Sequence, residues 1–292
     1  MRKEISKVRS RWKSIVARTA VLAILSFAPM LAAVQAGQRG QGSGGAGAAP
    51  GGQRGQRGPQ APTGPAPRLT SGKPDLSGLW NQPYVPDMTR INGTTQIGMA
   101  QLPFTEWGEK EWKTYDPAKN GDYTGNCYPF GMARSINSPH PIQIMQKEDS
   151  IAFLFEQNSW FIWIPTDGRE HLKGSDLIPT WFGDSVGKWD GDTLVIDTIG
   201  FNGWTRLDTI GHPHSDQLHI IQTFKRADLG HIEHTITIDD PKTYTMPWKN
   251  TRIWTLRPAS DRIMEYSCEE NNLGADDGTI VKWRPPVDSQ KK

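Results

Sequence analysis

Apolar and polar residues alternate in short runs between residues 142 and 268, and two kinds of connection separate the runs. Alternation with a period of two marks a strand with one buried face. The pattern predicts strands over 142–147, 151–157, 160–165, 185–189, 193–199, 218–226, 232–238, 250–256 and 262–268, with an earlier one over 76–80. Residues 160–165 are apolar on both faces (Trp160, Ile162 and Ile164 on one, Phe161 and Trp163 on the other), which predicts a strand covered on both sides. Asp190-Gly191 between two such runs is a strong hairpin signal, because both positions accept the positive φ of a type I′ turn. Residues 103–115 read instead as a helix: Thr105 can cap it, and Glu106, Glu109 and Glu111 suit its positive N-terminal end. Trp107 and Trp112 on it are expected to pack.

Strands are not interleaved with crossover helices, which argues against a parallel sheet. The expected fold is all-β: an antiparallel up-and-down meander closing into a calycin-like barrel of about eight to ten strands, with a short N-terminal helix. A β-sandwich is the alternative. In a meander every second connection lies at the same end. If 160–165 runs up, the long polar stretches 166–184, 200–217 and 239–248 and the tail from Glu269 meet at the top, with short turns at the bottom. Functional residues gather on such loops.

The chain before the strands changes the charge picture. A basic segment (Arg2 to Arg18) precedes an apolar run over 21–31, and Val34-Gln35-Ala36 fits a cleavage site, as in a Sec-type signal peptide. The run is shorter than the roughly 20 residues a membrane span needs. No cysteine lies near the cut to carry a lipid. Residues 37–67, rich in Gly, Gln, Arg and Pro, cannot bury enough surface to offset the entropy of ordering, and read as a disordered tether. One domain is expected over 68–292. Of 33 basic and 31 acidic residues, the first 67 hold ten and one, so the part from Arg68 keeps 23 and 30, a net charge of −7. An acidic domain argues against nucleic-acid binding. Cys127 and Cys268 are the two cysteines. An even pair in an exported chain favours a disulfide between them.

The upper loops carry the candidate chemistry. Asp167-Gly168-Arg169 with His171 offers an acid/base cluster, with Asp208 or His214 as further members; the plain alternative is a turn at Asp-Gly in which Arg169 pairs a nearby carboxylate. His212-Pro213-His214 places two imidazoles at i and i+2, which on extended chain share a side and can hold a Zn, Fe or Cu ion. A divalent metal is thus the candidate cofactor, against two unrelated loop histidines. Asp239-Asp240-Pro241 suits Ca²⁺ or an ordinary Asx turn, and Glu269-Glu270 a solvated surface. Of 12 tryptophans all but Trp12 lie beyond residue 67. Trp181, Trp204 and Trp248 fall on upper loops and are the candidate ligand contacts; those on strands are expected to fill the core. The chain lacks Gly-x-Ser-x-Gly, a phosphate loop and His-Glu-x-x-His, so those hydrolase, nucleotide and zincin readings fail.

Gly78-Leu79-Trp80 resembles the Gly-x-Trp of lipocalin-type barrels, where the tryptophan closes the barrel base. A wider set includes Pro74-Asp75-Leu76-Ser77-Gly78-Leu79-Trp80, Thr166-Asp167-Gly168-Arg169 with His171, and Pro179-Thr180-Trp181. It continues with the stretch from Ser185 through Lys188-Trp189-Asp190-Gly191-Asp192 to Leu194, Gly211-His212-Pro213-His214-Ser215, and Cys268-Glu269-Glu270-Asn271. Over 76–272 the chain resembles a family of exported bacterial proteins without an established activity. That resemblance implies a single site built from the rim residues and brings no reaction with it.

Three functions fit these expectations. One is a periplasmic or secreted barrel that binds a small, partly apolar ligand at its long-loop rim, without stable membrane insertion after signal cleavage. The second is an enzyme using the rim His/Asp/Arg cluster for acid/base or metal-assisted chemistry. The third is a carbohydrate- or envelope-associated binding module with a tryptophan-lined surface. Oligomeric state is not legible in the sequence.

Overall fold

A computed structural model describes residues 61–92, 96–270, 272, 274 and 278–285. The expected signal peptide and most of the expected tether lie outside the described residues. The strands are β1 (Gly78–Asn81), β2 (Gln96–Ile97), β3 (Ile142–Gln146), β4 (Ser150–Phe155), β5 (Phe161–Pro165), β6 (Asp184–Asp190), β7 (Thr193–Ile199), β8 (His219–Arg226), β9 (His231–Asp239) and β10 (Trp248–Leu256). They form one antiparallel sheet in the order β5-β4-β3-β1-β10-β9-β8-β7-β6, with β2 attached to β10. The two edges, β5 and β6, face each other. A Cβ placed on Gly187 of β6 would fall 2.8 Å from the Thr166 side chain and 3.2 Å from that of Ile164. The result is a nearly closed all-β barrel, as the strand pattern predicts, with a seam at β5 and β6 that no ladder bridges among the described residues.

The parity of this barrel corrects the expected loop arrangement. Each pairing along the path from β6 through β10 and β1 to β5 is antiparallel. The path reverses direction at each step through nine strands. Nine is odd, so β5 and β6 run the same way. The turns at 147–149, 191–192 and 227–230 lie at one end, here the turn end. The loops 200–218 and 240–247 lie at the other, the loop end. The connection 166–183 starts at the turn end, where Thr166 N–H donates to Asp149 O at 2.7 Å, and finishes at the loop end, where Thr180 N–H donates to Gly200 O at 3.0 Å. It is a strap along the seam, not one of a ring of loops on a common rim.

Inward side chains fill the barrel. On β7 and β8 the buried set Leu194, Ile196, Thr198, Ile220, Gln222 and Phe224 alternates with partly exposed residues. Phe224 meets Phe153 edge-on at 5.2 Å and Trp254 at 5.4 Å, and His234 stacks on it at 4.5 Å. Arg252 is fully buried and held by the side-chain oxygens of Asn137 and Asn250. Burial pulls its guanidinium down to about 9. At the turn end Trp80 donates its indole N–H to Leu76 O at 2.9 Å, and the Arg226 guanidinium lies 4.9 Å over its ring. Gly78 must be glycine there: its φ is +142°, and a Cβ would come 2.6 Å from Leu256.

Three short helices precede β3: α1 (Glu106–Lys113), α2 (Pro117–Asn120) and α3 (Met132–Ile136). Thr105 caps α1 as its sequence predicts, accepting from Gly108 N–H at 3.0 Å. Three other expectations need correction. Residues 262–268 are not a strand, because the positions beside β10 are taken by β9, β1 and β2. The outer face of β5 is open, with Phe161 and Trp163 67% and 50% exposed. And the chain before Arg68 joins the fold: Leu229 N–H donates to Gly64 O at 2.9 Å. Prolines around Gly64 lower the entropy lost on docking.

Candidate functional site

A cleft of about 900 Å³ lies at the loop end, outside the packed barrel. Five segments wall it. The stretch from α1 to Tyr123 supplies Trp107, Glu111, Tyr115 and Tyr123; the end of the strap supplies Trp181; the β7–β8 loop supplies residues 201–206 and 214–216; the β9–β10 loop supplies Lys242; the C-terminal tail supplies Trp283 and Arg284. Its volume falls in the range of small-molecule sites.

Aromatic rings make up a large part of the walls. Trp181 meets Trp204 edge-on at 5.4 Å and stacks on Tyr128 at 5.8 Å, and Trp283 approaches Tyr128 at 5.1 Å. Two cations of the cleft lie against rings: Arg206 is 4.6 Å over Tyr115 and Lys242 is 4.7 Å over Trp107. Arg206 also sits 3.6 Å from Glu111. Such stacking leaves a surface that is part apolar, part charged. Trp204 Nε1 is buried without a hydrogen-bond partner.

The floor is polar and ordered. His214 and Thr205 both line the cleft and are 4% and 5% exposed. The His214 Nδ1 lies 2.9 Å from Ser215 O, and a carbonyl only accepts, so Nδ1 carries the proton. Nε2 then accepts from the Thr205 hydroxyl at 2.6 Å. Burial holds the His214 imidazole below its ordinary range, which keeps it neutral. Asp240 fixes the Ser215 peptide, accepting from Ser215 N–H at 2.5 Å and from its hydroxyl at 2.8 Å.

The expected site residues separate into four places. Asp167 and Arg169 pair with each other at 2.6 Å on exposed chain, and that pairing holds the Asp167 carboxyl down at about 2. This is the turn foreseen as the plain alternative, and it stands at the start of the strap. His171 lies further along, on the outer wall. Its Nδ1 is 2.8 Å from Asp184 and its Nε2 3.1 Å from Asp197, which also holds His219 at 2.7 Å. Asp208 and His212 form a buried pair at 2.6 Å, with Trp112 stacked 4.5 Å from the His212 ring. His214 is on the cleft floor. The structure therefore does not bring Asp167, Arg169, His171 and Asp208 into one cluster.

His212 and His214 do not converge either, because their rings are engaged by different partners. Asp87, Asp208 and His212 each place one ligand-type atom within 4.8 Å of the others. The Asp208 carboxylate, however, already accepts from Met88, Gly211 and His212 N–H and from the His212 ring. That filled acceptor set makes it a clamp between two loops. Of the tryptophans, Trp181 and Trp204 line the cleft. Trp248 is 2% exposed at the start of β10, against Tyr244 at 5.5 Å. Sequence reasoning missed Thr205, Tyr115 and Trp283. Thr205 is three residues before Asp208 and carries no motif; only the folded loop puts it beside His214.

Cys127 and Cys268 form the expected disulfide, with Cα atoms 5.5 Å apart. It ties the tail to the 120–130 loop, where Asn272 Nδ2 also donates to Gly125 O at 3.2 Å. Among the described residues no helix is long and apolar enough to cross a membrane. No protein-family model and no curated protein matches the chain.

Proposed function

We propose that the protein is an exported binding barrel whose loop-end cleft takes a small, partly apolar ligand with a flat ring. The observation that carries this reading is the ring-lined cleft of about 900 Å³, with Trp181 and Trp204 meeting in its wall. Stacked cations beside the rings suit a ligand with a polar edge. A disulfide is compatible with the oxidising compartment that the N-terminal segment implies, periplasmic or secreted.

Titrating naphthalene sulfonate and phenyl glycoside probes while following tryptophan fluorescence tests it. Saturable quenching is expected, and Trp181→Ala or Trp204→Ala should each weaken binding about 10-fold, the loss of roughly one stacking contact. Trp248→Phe is the control and should leave affinity unchanged. Quenching that survives both alanine variants removes the cleft as the site. Preference for the glycoside would shift the reading to the carbohydrate module.

A further inference from the structure

The floor of the cleft holds a hydroxyl and an imidazole in the relation that activates a nucleophile. Thr205 Oγ1 donates to His214 Nε2 at 2.6 Å, and the opposite ring nitrogen is fixed by Ser215 O at 2.9 Å. A nucleophile, a base within hydrogen-bond reach and a third group that sets the tautomer of the base define the general pattern. The carbonyl that orients the ring is itself held in place, since Asp240 grips Ser215 through both its N–H and its hydroxyl. Both reacting groups line the cleft although each is nearly buried. Gly131 packs against the other side of Thr205, close enough that a Cβ there would sit 2.7 Å from Thr205 Oγ1, which fixes the position of the hydroxyl. A buried Thr-His bond serving only packing needs no access from a cleft.

We propose that Thr205 and His214 are a nucleophile–base pair and that the cleft cleaves carboxylic esters of ring-bearing ligands. The proposal rests on the cleft being a ligand site. Thr205 Oγ attacks the ester carbonyl carbon while His214 Nε2 takes the hydroxyl proton. The bond from that carbon to the leaving oxygen breaks, and the same proton passes from Nε2 to the departing alkoxide, releasing an alcohol and leaving acyl-Thr205. Water then adds to the acyl carbon with His214 again as base, the Thr205 ester bond breaks, and Thr205 regains its proton as the free acid departs. The ring is oriented by a carbonyl, not a carboxylate, so the imidazolium formed in the first step gains less stabilisation. That favours esters with good leaving groups over amides.

The test uses the full chain with p-nitrophenyl acetate and p-nitrophenyl benzoate. A burst of one p-nitrophenolate per protein is expected, with one acyl group mapped to Thr205 by peptide mass spectrometry. Thr205→Ser should keep the burst. Thr205→Val should abolish the burst and the acyl group at position 205, and His214→Gln should slow acylation about 100-fold or more, the usual contribution of a positioned base. Ring-probe quenching, measured on each variant, reports whether the cleft is intact. Peptide mapping of the unaltered chain decides the matter even if a variant fails to fold: no acyl group on Thr205, or acyl groups on lysine alone, overturns the proposal. Probe binding without acylation overturns the ester chemistry and leaves the binding reading standing; loss of both overturns the two together.

Discussion

His234 spends its whole ring inside the barrel, stacked on Phe224, with Nε2 3.0 Å from Gln222 Oε1. Burial, reinforced by the nearby Arg252 charge, holds it well below the ordinary histidine range. The unfolded chain, titrating near 6.5, therefore takes up the proton first. The stability contributed by neutral His234 is full above pH ~6.5 and is lost as pH falls below that value toward the folded pKa. Thermal unfolding between pH 7.5 and 5 should show it: the melting temperature of His234→Phe should fall less steeply with acid than that of the parent, whatever its absolute value. At this scale the sequence was a poor guide. His212-Pro213-His214 advertised two ligands on one side, but each imidazole found a nearer partner, Asp208 four residues back and Thr205 nine back. Those partners are chosen by the closing of the 200–218 loop, which no local pattern encodes.

Strands were legible because each buries one face, and the alternation on β7, β8 and β9 marks them with little ambiguity. Alternation does not say which strand lies beside which. Residues 262–268 alternate like the others but find the flanks of β10 occupied, and β5 has the apolar outer face of a covered strand although Trp163 is 50% exposed, with the Arg169 guanidinium 5.2 Å from its ring. The strap is the element whose course the sequence hid most completely, since its path depends on strand parity. Its middle is held to the outer wall by His171 between Asp184 and Asp197. His171→Ala should speed proteolytic cutting within 166–183 while lowering global stability by only about 1 kcal/mol or less, as for partly exposed ion pairs. Unchanged cutting would show that the backbone bonds at Thr166 and Thr180 suffice.

For the whole molecule, the decisive links join distant parts of the chain. The disulfide spans 141 residues. In the loop-entropy model its removal costs up to about 5 kcal/mol. Paired Cys127→Ser and Cys268→Ser substitutions should lower the denaturant midpoint sharply, and a midpoint equal to that of the parent would mean the tail is held by its ring contacts alone. The pairing of the cysteines was readable from their number; what they secure, the Trp283 wall of the cleft, was not. The seam has a consequence of another kind. Sequence neighbours β5 and β6 share no ladder, while β1 bridges β3 and β10 across the length of the domain. The backbone crosses the seam through the strap, and the Cys127–Cys268 disulfide is a second covalent link between the two halves. Nicked at Gly174, where an added Cβ would meet nothing within 4 Å, the chain becomes two segments that the Cys127–Cys268 disulfide still joins, each a meander with its own hydrogen-bonded ladder. β1 on the first piece is the tongue and β10 on the second the groove through which they reassemble. The barrel is in this sense two complementary halves, fastened by the strap and by the disulfide.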